Sequence, residues 1–130
     1  LKKQYMSNSI EFLDQMSNSD VLSLIGKSIS TVTSTSLFEG QPTLLCEASS
    51  LGVPSIFPDS GGIKEFFPED YELAFDYDSD EDLISKLSEV VNRSKMSNNG
   101  ILNQEFISKL LDREEMYEKF EKIISKWVVN

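Results

Sequence analysis

The sequence contains no histidine and a single cysteine, Cys46, and these absences exclude several kinds of site. Without histidine, the chain lacks the commonest general base and the commonest zinc ligand. One thiol cannot form an internal disulfide, so the sequence offers no support for secretion. No apolar run reaches the roughly 18 residues that a membrane-spanning helix needs, so no such helix is predicted.

Basic residues are also scarce. The chain has 12 Lys and Arg against 22 Asp and Glu, which gives a formal net charge of −10. Such a field repels nucleic acid and anionic membranes, so nucleic acid is not expected as a partner. A small anion site is still allowed, because backbone amides at the start of a helix bind phosphate without lysine.

The composition is that of a globular protein. Hydrophobic residues make up 39% of the chain and charged residues 26%. This balance is too apolar for a disordered segment, and 130 residues suit one domain with one core.

Short apolar runs alternate with helical stretches, a pattern typical of βα units around a parallel sheet. The predicted strands are Ser9–Leu13, Ser28–Ser34, Pro54–Phe57 and Leu73–Phe75. The predicted helical segments are Asp20–Lys27, Pro42–Ser50, Ile63–Phe66, Glu81–Asn92, Ile101–Leu111 and Arg113–Trp127. Ser94–Gly100 is predicted to be a polar loop. The fold class is therefore α/β, a partial Rossmann-like lobe with a small parallel sheet of about four strands flanked by helices, followed by C-terminal helices.

Three of the helices are predicted to bury one face. The residues expected to point inward are Val21, Leu24 and Ile25 in the first, Leu83, Leu87, Val90 and Val91 in the fourth, and Met116, Phe120, Ile123, Ile124 and Trp127 in the last. Ser28–Ser34, rich in Ile, Val and Thr, is predicted to be a buried strand.

The most informative stretch runs from Glu39 to Glu65, EGQPTLLCEASSLGVPSIFPDSGGIKE. A strand ends before it, Gly40 lets the backbone turn, and Pro42 suits the first position of a helix. The free N–H groups of Thr43 and Leu44, with the helix dipole, favour a pyrophosphate beyond the carboxyl ends of the strands. Gln41 is placed to donate its side-chain amide to the same group.

Two glutamates flank this predicted phosphate site. Glu47 lies four residues after Thr43, one turn further along nearly the same helix face, where its carboxylate is placed to accept hydrogen bonds from ribose hydroxyls. Glu39, in the loop on the other side, is placed to accept hydrogen bonds from a transferred sugar. The pattern therefore predicts a nucleotide sugar held by one carboxylate at each end.

This segment resembles the signature of the family four retaining glycosyltransferases, which have two Rossmann-like lobes. The resemblance rests on Glu39 and Glu47 within EGQPTLLCEA, on the sequence LGVP at 51–54, and on Gly61-Gly62 followed by Glu65. It covers most of residues 9–92 and, weakly, the terminal helices at 101–128. The resemblance implies that residues 1–130 are a single C-terminal lobe fragment, with 9–92 as the signature-bearing core.

The resemblance also implies the chemistry of the site. The donor is a UDP- or GDP-sugar, Glu39 contacts the donor sugar and is the catalytic candidate, and Glu47 contacts the ribose. Backbone amides around Gly40, Gln41, Thr43 and Leu44 hold phosphate, and no metal or other cofactor is needed.

The family's upstream Arg and Lys, which neutralise the leaving diphosphate, and its N-terminal acceptor lobe are not found in this sequence. Loss of those cations removes a large electrostatic contribution, so the fragment alone is expected to be inactive. The expected function is donor binding within a hexosyltransferase of polysaccharide or glycolipid assembly, cytoplasmic or peripheral at the inner membrane face. The alternatives are a non-catalytic binding or assembly module and, with less support, a nucleotide-sugar epimerase. The apolar stripe of the last helix is expected to mediate self-association.

Several other features are assigned structural roles. Gly61-Gly62 is interpreted as a turn, with direct ligand contact as the alternative. Glu65 is expected to pair locally and Cys46 to be a small core residue. The acidic run DYDSDED at 76–82 lacks the glycine and terminal glutamate of a calcium loop and is predicted to be a solvated helix start.

Overall fold

A computed structural model describes residues 9–35, 39–40 and 42–128 of the chain. It confirms the α/β class, with helices packed around a small parallel sheet. In chain order the elements are α1 (Asn18–Ile25), β1 (Thr31–Val32), α2 (Thr43–Ser50), β2 (Ser55–Pro58), a 3₁₀ helix (Ile63–Phe66), β3 (Ala74–Phe75), α3 (Asp80–Glu89), α4 (Arg93–Leu110) and α5 (Arg113–Val128).

The sheet has three strands among the described residues, in the order β1-β2-β3 and all parallel. The register pairs Thr31 with Ser55 and Phe57 with Ala74. The prediction that Ser28–Ser34 forms a buried strand is wrong in length and burial. The strand β1 is two residues long and forms an edge of the described sheet, which leaves its Val32 44% exposed.

The predicted strand at Ser9–Leu13 is also wrong. Ile10 makes a single bridge, and the residues after it have no regular structure until α1. The apolar side chains of Ile10, Phe12 and Leu13 are 40–48% exposed, so no described neighbour buries the face that the alternating pattern indicated. A strand is stabilised mainly by cross-strand and same-face contacts, which this segment lacks here.

β2 is the central strand, and all four of its residues are buried. β3 pairs with Phe57 and Pro58 but does not reach Ser55, where the side chain of Tyr71 takes the place of a neighbouring strand. The Tyr71 hydroxyl donates to the Ser55 carbonyl at 2.6 Å and accepts from the Ser55 N–H at 2.9 Å. The Tyr71 ring stacks on Phe57 and touches Phe67, with ring centroids 5.6 and 4.8 Å apart. This aromatic cluster joins Leu45, Ile56, Ile63 and other apolar residues in the main core.

Two helices start earlier than predicted, because serines upstream act as N-caps. The sequence favours Ser19-Asp20 as the cap of the first helix, but Ser17 caps α1, and its Oγ accepts from the Asp20 N–H at 3.2 Å. It likewise favours Asp80 as the cap of the helix after β3, but Ser79 caps α3 in the same way as Ser17 caps α1. A serine oxygen satisfies one of the unpaired N–H groups of the first turn, so the earlier residue begins the helix.

The predicted inward faces of these helices are correct only in part. Ile25 is buried and Val21 packs beside it, but Leu24 is 46% exposed. In and after α3, Leu83 and Val90 pack on the core, whereas Leu87 and Val91 are 41% and 86% exposed. α1 packs on α2 and α3 packs on β3, and each helix buries only a narrow stripe in that contact.

The prediction of a loop at Ser94–Gly100 is wrong, because α4 runs without a break from Arg93 to Leu110. Asn92 caps it by accepting from the Lys95 N–H at 3.1 Å. The polar residues that suggested a loop lie mostly on the solvent side, while Met96 and Ile107 face the core.

Gly100 is buried where α4 crosses the end of α2. A Cβ at Gly100 would lie 2.0 Å from the Gly52 carbonyl oxygen, so glycine alone permits this approach. Gly52 has a φ of 71°, in the left-handed region that favours glycine, as is usual just after a helix. The Gln104 amide also donates to the Ser50 carbonyl at 2.9 Å. α4 therefore holds the C-terminal end of α2.

The last helix, α5, forms as predicted, but the expected burial of its apolar stripe does not occur within the described residues. Met116, Phe120 and Ile123 are 51–60% exposed, and Trp127 is 82% exposed. None of the described helices has the length and apolar character required to cross a membrane.

Candidate functional site

A cavity of about 220 Å³ opens at the carboxyl ends of β1 and β2, beside the start of α2. This is the place where open parallel sheets bind ligands. Its lining residues are Thr33, Thr35, Glu39, Pro42, Thr43, Leu44, Leu45 and Ile63. Three of the predicted site residues, Glu39, Thr43 and Leu44, are thus brought to one cavity.

The start of α2 forms one wall of this cavity. Pro42 is the N-cap residue rather than the first helical residue, a shift of one position from the prediction. Its carbonyl accepts from the N–H groups of Leu45 and Cys46, both at 3.1 Å. Within the described part of the chain, the N–H groups of Thr43 and Leu44 have no backbone acceptor, as expected of a first turn. They provide two donors at the positive end of the helix dipole.

Glu39 faces the same cavity from the opposite side and is partly buried. It follows β1 through a connection that includes residues 36–38, which lie outside the described part. Gly40 is exposed, and a Cβ there would meet nothing within 4 Å. Gln41, also predicted to contact phosphate, falls outside the described residues.

Glu47 lies one turn into α2 and is partly buried, but it does not line the cavity. Its charge is felt by the neighbouring thiol: burial first, and then the carboxylate of Glu47, raise the pKa of Cys46. The structure therefore places Glu39 and Glu47 around the same helix start, but not in one enclosed space.

The turn that contains Gly61 and Gly62 lies against the Glu39 segment. The Gly62 N–H donates to the Glu39 carbonyl at 2.9 Å. Gly61 has a φ of 61°, in the left-handed region, as this turn requires. An ion pair of 2.6 Å between Lys64 and Asp59 spans the turn on the solvent side. Glu65 is exposed and does not line the cavity.

The other lining residues were not predicted to belong to the site; they are Thr33, Thr35, Pro42, Leu45 and Ile63. The two threonines directly follow β1 and alternate in position, so they were detectable as residues at the carboxyl end of a strand. Ile63 was assigned only to a helical turn. Its place under the cavity depends on the fold of the turn before it.

Among the described residues that line the cavity, Glu39 provides one carboxylate and none is a lysine or an arginine. A phosphate bound there would therefore rely on backbone N–H groups and the helix dipole, not on a side-chain cation. Over the described ranges, no group of three or more His, Cys, Asp or Glu residues is arranged to hold a metal ion.

Comparison with known proteins gives one match to a protein family. Residues 1–106 match the family model described as "Glycosyl transferases group 1". This match includes every element from α1 to β3, the cavity, and most of α4. Neither the curated proteins nor the solved structures contain a match to the chain.

Proposed function

The chain belongs to the group 1 glycosyl transferases, and from this premise we propose that it binds the nucleoside-diphosphate sugar donor of a retaining transferase. One observation carries the proposal. The cavity at the carboxyl ends of the strands combines the Glu39 carboxylate with the open N–H groups at the start of α2. A diphosphate bears the charge that such a helix start attracts, and a sugar bears the hydroxyls that a carboxylate accepts from.

The donor is proposed to lie across the start of α2. The N–H groups of Thr43 and Leu44 would donate to phosphate, together with groups around Gly40 and Gln41. Glu39 would accept from hydroxyls of the transferred sugar and is the candidate catalytic residue. Both contacts fit the lining of one cavity.

The ribose is proposed to lie on the outer side of α2, against Glu47. Residues four apart on a helix are neighbours, so a ribose at Glu47 is one turn away from a phosphate at Thr43. Leu44, which lines the cavity and is 41% exposed, provides an apolar surface beside Thr43. An extended nucleotide follows this path even though Glu47 does not line the cavity.

The transfer itself is proposed to retain configuration at the anomeric carbon. The bond from this carbon to the diphosphate breaks, the acceptor oxygen bonds on the same face, and the acceptor proton goes to the departing phosphate. The lobe contributes orientation and stabilises the leaving charge, rather than supplying a strong base. We propose that no metal is required, so a chelator should leave donor binding unchanged.

This chain alone is expected to bind the donor without transferring the sugar. The described lining contains no Lys or Arg to stabilise a departing diphosphate, and an acceptor lobe is proposed to supply the other side of the cleft. We place the complete enzyme among hexosyltransferases of polysaccharide or glycolipid assembly, in the cytoplasm or at the inner face of the membrane.

A second candidate is a non-catalytic binding or assembly module derived from a transferase lobe. The absence of cations among the residues that line the cavity is the observation that favours it. Assays on the natural polypeptide separate the two. Sugar transfer or donor hydrolysis supports the enzyme, whereas donor binding without turnover supports the module.

We propose that the exposed apolar stripe of α5 binds a second copy of the chain. At 100° per residue, Lys119 and Lys126 lie along one edge of the stripe, with Glu115 on the same edge in an ion pair with Lys119 at 3.5 Å, and Glu114 and Glu121 lie towards the other edge. A parallel pair of such helices places Lys126 of each copy near the acidic edge of its partner, which favours a second copy of the chain.

Saturation-transfer NMR with UDP-glucose, UDP-GlcNAc, GDP-mannose and UDP tests donor binding directly. We expect signals on ribose and base protons, with affinity in the millimolar range, and their loss in Glu47→Ala. Glu105→Ala, an exposed glutamate on α4, is the matched control and should keep the signals. Absence of saturation transfer from the folded protein to any of the four ligands would contradict the proposal. Signals that persist in Glu47→Ala would show that the ribose does not bind against Glu47 on α2.

A further inference from the structure

We propose that Gly62 is a positioning residue for Glu39, which it holds from behind by its backbone N–H and by its lack of a side chain. The inference rests on the proposed function, because it concerns the carboxylate that is to contact the donor sugar. It assigns to the Gly61-Gly62 turn a role in sugar recognition without direct contact with the ligand.

The first observation is the direct bond between the two segments. The Gly62 N–H donates to the Glu39 carbonyl at 2.9 Å, a good length for such a bond. Residue 39 is therefore tied by its own backbone to a turn that comes more than twenty positions later in the sequence.

The second observation is the close approach of the two backbones. A Cβ at Gly62 would lie 3.1 Å from the Gly40 carbonyl oxygen and 3.7 Å from the Glu39 carbonyl oxygen. The second distance is an ordinary contact, but the first is tight, so a side chain at position 62 requires the Gly40 carbonyl, and the Glu39–Gly40 segment with it, to shift by a few tenths of an ångström. Gly62 itself has a φ of −93° and a ψ of 7°, so its backbone has no need of glycine. Space, rather than conformation, accounts for glycine at this position.

The third observation is that the turn is itself anchored to the core. Ile63, the next residue, is 0% exposed and packs in the same cluster as Leu45 and Ile56. On the other side of the turn, the Asp59 N–H donates to the Phe75 carbonyl at 2.7 Å. The core therefore fixes the position of Glu39 through the packing of Ile63 and the contacts of Gly62.

Gly62 should affect the binding of the two ends of the donor to different extents. Glu47 and the N–H groups of Thr43 and Leu44 belong to α2 and do not depend on Gly62. A displacement of the Glu39–Gly40 segment should therefore weaken the contacts to the sugar more strongly than those to the nucleoside diphosphate, because the phosphate donors Thr43 and Leu44 stay in place and only the contact at Gly40 moves with Glu39. A purely structural role would affect both ligands alike.

The test is NMR titration of the 130-residue chain with UDP and UDP-glucose, and with GDP and GDP-mannose, before and after Gly62→Ala. We expect the affinity for the nucleotide sugar to fall about tenfold, the effect of losing one charge-assisted hydrogen bond, while the affinity for the nucleoside diphosphate stays within about twofold. Gly26→Ala is the matched control, because a Cβ there meets its nearest neighbour at an ordinary 3.5 Å.

Other outcomes overturn the inference. Unchanged affinity for both ligands, or an equal loss for both with a lower melting temperature, would show that Gly62 does not position Glu39 for the sugar. Binding of neither ligand by the unaltered chain would refute the proposed function and, with it, this role of Gly62. The amide resonance of Gly40 provides a check without ligand, since it must shift in Gly62→Ala and not in Gly26→Ala if the two segments touch.

Discussion

Removal of one hydroxyl, in Tyr71→Phe, is expected to destabilise the whole lobe. Tyr71 bonds to both backbone groups of Ser55, which is 0% exposed in the central strand. Phenylalanine keeps the ring contacts with Phe57 and Phe67 but leaves a buried N–H and a buried C=O without partners. At about 1–3 kcal/mol for each of these two groups, the free energy of unfolding should fall by about 2–6 kcal/mol.

Urea denaturation followed by circular dichroism measures this loss. Tyr117→Phe is the control, because Tyr117 is 59% exposed on α5. Loss of its hydroxyl should change the free energy of unfolding by less than about 0.5 kcal/mol. A Tyr71→Phe protein as stable as the control would refute the view that the hydroxyl substitutes for a neighbouring strand.

Because of the same hydroxyl, we expect the free energy of unfolding to depend on pH. This effect remains measurable even if Tyr71→Phe is only marginally folded. Burial is the main cause that raises the pKa of Tyr71 to about 12, against the opposing effect of its bond to Ser55. A pKa raised on folding contributes stability that is complete below pH 10 and is lost as the pH rises towards 12. The two pKa units between these values correspond to about 2.7 kcal/mol at most. The stability gap between the wild type and Tyr71→Phe should therefore narrow across this range, and a constant gap would contradict the assignment.

Three further predictions concern other parts of the fold. Gly100→Ala places a Cβ 2.0 Å from the Gly52 carbonyl oxygen and should lower the free energy of unfolding by about 3 kcal/mol, measured by urea denaturation, whereas Gly26→Ala should be nearly neutral. Ser79→Ala removes the N-cap of α3 and should cost about 1 kcal/mol in the same assay, and an unchanged midpoint would mean that Asp80 replaces the cap. If α5 mediates self-association, sedimentation velocity should show a coefficient that rises with concentration in the wild type and not in Phe120→Glu. Ile84→Glu, an exposed site on α3, should behave as the wild type does, and a wild type that stays monomeric throughout would exclude the dimer.

The elements around the cavity were the most predictable from the sequence. Pro42, Gly52 and the Gly61-Gly62 pair mark the ends of α2 and of the turn after β2, and each residue restricts the backbone locally. Local chemistry of this kind acts over a few residues, so the predicted helix at 42–50 and strand at 54–57 each differ from the structure by only one residue at their ends.

The errors lie where tertiary contacts decide. Ser94–Gly100 has a loop-like composition, but the Asn92 cap and the packing of Met96 and Gly100 make it helical. The stretch Ser9–Leu13 has a strand-like composition, but its pairing is limited to the single bridge at Ile10, and its apolar side chains stay 40–48% exposed. Cavity-lining residues such as Ile63 were missed for a similar reason, since their position depends on which turn packs beneath the Glu39 segment.

Two glycine contacts between distant parts of the chain explain how so small a sheet holds the start of α2 in place. At one end, Gly100 of α4 packs directly on Gly52, just beyond the last turn of α2. At the other end, Gly62 packs on Gly40 and bonds to Glu39, before the first turn. In sequence each of these glycines indicates only a turn or a break, because nothing local reveals what lies opposite the missing side chain. A two-residue and a four-residue strand provide little area to fix a helix, so backbone contacts at both ends of α2 take on that role.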